Sequence, residues 1–191
     1  MTPAGHTLMG MSIGVLCVPR RWRWLSKVAM VGVFGVLGNA PDIANKFTPP
    51  GWYEICHSVF LNTGAMLVLA LLIGVWWRRA GRPRGVWPIV VCGAGAWGSH
   101  LVLDATYNHG RGTELLWPFS KAPLVLTISW FSTWKLPWED HDAWNVRVSS
   151  LEAAVYGGLF VLCVLVRVLL GRMKTRRDRS PAARDHIKSA E

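Results

Sequence analysis

Apolar runs in this chain are separated by connections that are alternately rich and poor in cations, and that alternation limits the possible folds more than any other feature. A window of roughly 19 residues suits a helix crossing a bilayer, and with it five apolar stretches emerge. Three are clear spans, at 59–77, 86–103 and 153–170, and two are shorter, at about 7–18 and 28–40. Arg20, Arg21, Arg23 and Lys27 separate the first two stretches, and Arg78, Arg79, Arg82 and Arg84 separate the third from the fourth. Arg172, Lys174, Arg176, Arg177, Arg179, Arg184 and Lys188 follow the fifth. The other two connections share only Lys46, Arg111, Lys121, Lys135 and Arg147, spread over a much greater length. Cytoplasmic loops keep their Lys and Arg, so the pattern predicts five spans with the amino terminus outside and the carboxyl terminus in the cytoplasm. The acidic residues agree, because Asp42, Glu54, Asp104, Glu114, Glu139, Asp140, Asp142 and Glu152 all fall on the outer side.

Segregation reconciles a net charge of +10 with 51% hydrophobic residues and a mean hydropathy of +0.27. The charged fraction, 17%, is too low for a disordered chain. The cations form no stripe on a soluble face, so the expected partner is membrane lipid and no nucleic acid. The predicted fold class is all-α, a polytopic membrane helical bundle over 1–171 with a tryptophan-rich outer connection at 105–150. A basic, aperiodic tail at 172–191 is expected to lie disordered against anionic headgroups. Gly32, Gly35 and Gly38, and likewise Gly93, Gly95 and Gly98, predict close helix packing. Cys17, Cys56, Cys92 and Cys163 contain no C-x-x-C, so neither a disulfide framework nor a thiolate metal site is expected. Met1 to Met11 contain no Lys or Arg, and a cleavable signal peptide is not apparent. Within the clear spans only Arg167 is charged at depth, which gives a midplane ion path no support.

Polar residues converge at one end of this topology. His6 precedes the first stretch, Asp42 follows the second, His57 opens the third, and His100 and Asp104 close the fourth. The last two stand four residues apart, on one helical face. Ionisable groups so near a bilayer are costly unless paired, hydrated or metal-bound. Singly, each is explained by capping or by an interfacial position; together they suggest a divalent-metal site. A His/Asp set without thiolate favours zinc, with manganese or iron as alternatives. Asn39, Asn45 and Ser58 stand beside these residues, as hydrogen-bonding supports or as simple caps.

The run Ser99-His100-Leu101-Val102-Leu103-Asp104-Ala105-Thr106, then Gly110 or Gly112 and Leu115-Leu116-Trp117-Pro118-Phe119-Ser120, closely resembles the signature of YdjM-like membrane-bound metal-dependent hydrolases, also described as LexA-regulated inner-membrane proteins. His6 with Gly10, Pro41-Asp42-Ile43 and His57-Ser58 fit in order, so the resemblance covers about 4–120. In motif order that family is similar to the zinc-dependent phospholipase C and single-strand nuclease superfamily. The resemblance implies an all-helical fold, phosphoester hydrolysis, and His6, Asp42, His57, His100 and Asp104 as metal ligands. Two positions depart from the family pattern. Ala44 follows Pro41-Asp42-Ile43 where members commonly carry a second Asp, and Trp52-Tyr53-Glu54 stands where they commonly read His-Arg. The superfamily's later His-x-x-x-Glu helix is also not intact, since Val148 precedes Glu152 by four residues; Glu152, Glu54 and His109 are the candidate substitutes.

The expected function is hydrolysis of a phosphoester or lipid-like substrate by metal-activated water at the outer membrane–water boundary. Asp104 or Asp42 would position or deprotonate that water. The alternative is a non-catalytic membrane protein whose metal site is structural or sensing. Trp117, Trp130, Trp134, Trp138 and Trp144 predict that the long connection lies along the headgroup layer and roofs the site. Glu139-Asp140-His141-Asp142 reads as a solvated acidic turn.

Overall fold

In the computed structural model the described residues are 1–49, 51–81, 85–108, 112–124, 131–135, 137 and 139–178. Their helices are α1 (Pro3–Cys17), α2 (Trp24–Leu37), α3 (Ala40–Lys46), α4 (Tyr53–Cys56), α5 (Val59–Arg79), α6 (Trp87–Thr106) and α7 (Asp142–Asp178). Local chemistry sets several of the boundaries. Thr2 caps α1, its hydroxyl accepting from the Gly5 amide at 3.3 Å, and Ser58 caps α5 through the Leu61 amide at 3.4 Å. Prolines open α1, α3 and α6, where a missing amide proton costs nothing. The short strand β1 (Tyr107–Asn108) runs parallel to β2 (Phe131–Ser132).

Among the described residues, three helical segments are long and apolar enough to cross a membrane: α5, α6 and Glu139–Met173, which includes most of α7. A fourth exists if α2 and α3, bent by 62° at their junction, cross as one. The five-span expectation therefore holds only in its coarser form. The first stretch becomes α1, of 15 residues or about 22 Å, short of a hydrocarbon core of about 30 Å. Instead of facing lipid on all sides, α1 packs against α2, α6 and α7.

Close approach of backbones makes this possible. A Cβ on Gly10 would collide with the Phe34 carbonyl oxygen, and one on Gly38 with that of His6. Gly14 and Gly35 are nearly as tight, meeting Phe34 Cβ at 2.8 Å and Met11 Cγ at 2.9 Å. The seam thus joins α1 to α2. It uses Gly35 and Gly38 as expected, together with Gly10 and Gly14, which the glycine pattern alone did not single out. Gly93 meets Leu37 at 3.3 Å, whereas Gly32, Gly95 and Gly98 face open space and pack against nothing.

Charges on α7 hold both ends of α1. Glu152 accepts from the Thr2 amide at 3.1 Å and from the Thr2 hydroxyl, while the Arg167 guanidinium donates to the carbonyls of Val15 and Val18. An anion at the amino end and a cation at the carboxyl end both complement the helix dipole. The charge of Arg167 within an apolar span is thereby explained as a helix cap. A disulfide joins Cys17 to Cys92, with Cα atoms 6.3 Å apart, contrary to the expectation of no disulfide. The sequence separation of 75 hid the pair, which only the crossing of α1 and α6 brings within bonding geometry. Cys56 and Cys163 are free.

The basic segment also differs from expectation at its start. Helix α7 continues to Asp178, because no Pro or Gly follows Gly171 until Pro181 and Arg, Met and Lys are good helix formers. Residues 179–191, including Arg179, Arg184 and Lys188, lie outside the described residues. The seam has a direct test in detergent-solubilised protein. Gly10→Ala should lower stability by about 1–3 kcal/mol through overpacking, and Gly95→Ala, with nothing near its Cβ, should leave the melting temperature unchanged.

Candidate metal centre

Each expected site residue is delivered by a local feature of the chain. His6 lies one turn into α1. Asp42 is turned back toward the bundle because α2 ends at Gly38 and Asn39 and Pro41 starts α3 at its 62° bend. Asn39 secures that break, donating its amide protons to Gly35 O at 3.0 Å and Thr7 Oγ1 at 2.8 Å. His57 ends α4 immediately before the Ser58 cap of α5. His100 and Asp104 share a face in the last turns of α6.

All five come together. His57 Nε2 and His100 Nε2 are 3.3 Å apart. Asp42 Oδ1 lies 3.4 Å from His57 Nε2 and 3.7 Å from His100 Nε2. Asp104 Oδ2 lies 3.5 Å and 3.2 Å from the same two nitrogens. His6 Nε2 meets the other oxygen of Asp104 at 3.1 Å, and the His6 ring stacks on His100 with centroids 3.7 Å apart. The Met1 amino group also lies 3.3 Å from Asp104 Oδ1. The three histidines and Asp104 are at most 3% exposed, whereas the Asp42 side chain is 30% exposed.

Hydrogen bonds on the far side of two rings fix what they present to the centre. His57 Nδ1 is 2.8 Å from the Tyr53 carbonyl and His100 Nδ1 is 2.9 Å from the Gly38 carbonyl. A carbonyl can only accept, so each Nδ1 carries the proton and each Nε2 turns a lone pair inward. Two imidazole lone pairs thus face each other and two carboxylate oxygens, an arrangement that repels itself unless a cation or a shared proton stands within it. A tetrahedral ion with bonds of about 2.0–2.2 Å has ligand–ligand edges of roughly 3.3–3.6 Å. Five of the six separations among these four atoms, 3.2 to 3.7 Å, lie near those edges, and two overlapping triads, Asp42/His57/His100 and His6/His100/Asp104, have metal-binding spacing. The donor set therefore fits a divalent metal of the expected kind.

Tyr53 stacks on His57 at 4.0 Å, and its hydroxyl is pushed upward by burial and by the Asp104 and Asp42 carboxylates, so it stays protonated. Neither Tyr53 nor the Gly38 carbonyl was a sequence candidate. A support made by a backbone carbonyl carries no residue signature. Asn62 was also missed; it donates to Cys56 O and Ser58 O at 2.8 Å each and accepts from Trp97 Nε1 at 2.7 Å, bracing the turn that holds His57.

The remaining candidates are elsewhere. Glu152 is 1% exposed but serves the amino end of α1. Glu54 joins no group with metal-binding spacing among the described residues, and His109 lies outside them, as do Gly110, Trp130 and Trp138. Glu139-Asp140-His141-Asp142 forms a short turn and the start of α7 and joins no such group among the described residues. The expected roof is only partly seen. Leu115 packs with Leu101, Ala105 and Val59, and Trp117 O accepts from Ser58 Oγ, so this piece closes over α5 and α6. Trp134 and Trp144 instead bond to Ser149 Oγ at 2.9 Å and Thr133 O at 3.1 Å, along α7.

Because Glu152 reaches the cluster only through α1, its loss should act on stability first. Glu152→Ala leaves the buried Thr2 amide unpaired and should cost about 1–3 kcal/mol in detergent unfolding.

No curated protein and no solved structure matches the chain. A family model does, and its coverage extends beyond the histidine-bearing segments through most of α7. The chain matches the family described as YdjM inner membrane protein over residues 1–176 and belongs to that family, an assignment that agrees with a membrane location and with the apolar helices described above.

Proposed function

We propose that the protein is a membrane hydrolase whose centre holds a divalent ion, zinc by first choice and manganese or iron as alternatives, and that it cleaves a phosphoester or lipid-like substrate. The observation that carries this reading is the cluster of acceptor atoms on His57, His100, Asp42 and Asp104, in which each imidazole nitrogen lies 3.2 to 3.7 Å from the other and from both carboxylates. His57, His100, Asp42 and Asp104 would hold the ion. A bound divalent ion lowers the pKa of water toward about 7 and polarises a phosphoryl oxygen.

The protein's own residues then have separable tasks. Tyr53 O and Gly38 O orient the two imidazoles, a support whose loss typically weakens metal binding about 10–100-fold. His6, facing Asp104 Oδ1, steadies that carboxylate so that Oδ2 points to the centre. Asp42 is the better candidate to position water and take its proton, since among the five it alone opens to the surroundings. Burial of the rest favours the second reading, a structural or sensing metal site without turnover. In the membrane, the cation alternation supports a site near the outer boundary with the carboxyl terminus in the cytoplasm. This reading rests on the chain's own residues; no solved structure supports the likeness to the zinc-dependent phospholipase C superfamily.

Metal content and turnover test it together. Detergent-purified wild type should carry at least about one ion per chain, lost in His100→Ala and Asp104→Ala. His6→Ala should retain metal with about 10–100-fold weaker affinity. Wild type should hydrolyse a phosphodiester or phospholipid; a metal-loaded protein with no turnover on either class would favour the structural or sensing role.

A further inference from the structure

We infer that the candidate site is entered sideways from the bilayer, by an anionic phospholipid that lies in the groove between α1 and α2. The inference rests on the hydrolase reading for its catalytic meaning and adds the substrate class. Four of the five converging side chains are sealed, with His6, His57, His100 and Asp104 no more than 3% exposed. Any ligand must therefore approach past Asp42, whose side chain is 30% exposed. A groove of about 550 Å³ contains Asp42 in its wall.

The groove is amphipathic along its length. Near Asp42 it is lined by Asn45 and Lys46, the latter the cation in the last turn of α3. Further along α2 the lining becomes Val36, Gly35 and Gly32, with Met11 of α1 opposite. From Asn39 to Gly32 the groove follows α2 for about 10 Å. Val36 is 60% exposed, and a Cβ on Gly32 would meet nothing within 4 Å, so the floor stands open. A hydrated small anion would match only the Lys46 end. A neutral acyl chain would match only the open stretch at Val36 and Gly32. A phospholipid places phosphate beside Lys46 and one acyl chain over Val36 and Gly32, and uses both.

The test reconstitutes the full chain in phosphatidylcholine vesicles doped with phosphatidylglycerol carrying a nitroxide on its acyl chain, and reads the immobilised fraction by electron paramagnetic resonance. Wild type should immobilise phosphatidylglycerol in preference to an equally labelled phosphatidylcholine. Gly32→Leu, which fills open space and should fold normally, should weaken that binding at least tenfold. Gly95→Leu, on an equally open position of α6, should not. Lys46→Gln should remove the preference for the anionic headgroup. Soluble glycerol phosphate should compete weakly, because it lacks the chain.

Unchanged binding in Gly32→Leu would place the chain elsewhere, such as the apolar cleft between α2, α5 and α6, and would overturn the inference. Glycerol phosphate competing as well as lipid would overturn it too. Metal content measured on the same samples separates the two claims. Selective lipid binding by metal-free wild type keeps the groove and removes the hydrolase reading, and metal-bearing protein without lipid selectivity does the reverse.

Discussion

A helix of 15 residues cannot cross a bilayer alone, and α1 is kept in this bundle by charge at both of its ends. Glu152 and Arg167 lie fifteen positions apart on α7, about 22 Å of helix, which is the length of α1 itself. Glu152 accepts from the amide before the start of α1 and Arg167 donates to the carbonyls at its close. The two helices therefore run in the same direction, locked in register. The glycine seam then fixes α1 against α2, where the carbonyl of His6 rests on Gly38. Since the Gly38 carbonyl in turn accepts from His100, the placement of α1 and the orientation of the central imidazole are one problem.

That coupling gives a physical account of why a polar centre is tolerated among apolar helices. Buried acceptors are expensive when unpaired. Here the outer face of each of two imidazoles is satisfied by a backbone carbonyl, Gly38 at the end of α2 for His100 and Tyr53 of α4, which also accepts from the His57 amide, for His57. Helix termini normally leave carbonyls such as that of Gly38 without partners, so the break after α2 solves two deficits at once. The inner faces remain, and the proposed cation is what balances them. Asp42 lies at the edge of this arrangement, joining the sealed centre to the groove that leads into the bilayer.

Much of this was legible in the residues. Two of the three long apolar runs became helices close to their expected bounds and the third became the middle of the much longer α7, because hydropathy over about 20 residues reports a property of the segment itself and not where its helix stops. The convergence of His6, Asp42, His57, His100 and Asp104 was also readable, since helix ends on the same side of a membrane must lie near one another. What escaped depended on which helix faces which. Gly10 and Gly14 look no different from Gly95 in sequence, yet only the first two meet a neighbouring helix backbone or side chain. The Cys17–Cys92 bond, the Arg167 cap and the capture of Glu152 by Thr2 all join segments far apart in the chain. The count of spans holds only in its coarser form for a related reason: a helix sheltered by its neighbours need not have the length of one that faces lipid.

X-ray absorption at the edge of the metal that copurifies with the intact protein tests the central claim most directly, because it reads the ligands themselves. The account requires a first shell of nitrogen and oxygen at about 2.0–2.2 Å, with the outer-shell scattering of two imidazoles and no sulfur. A sulfur shell near 2.3 Å, or a spectrum of ion bound by water alone, would contradict it, since neither is compatible with an ion held between His57, His100, Asp42 and Asp104.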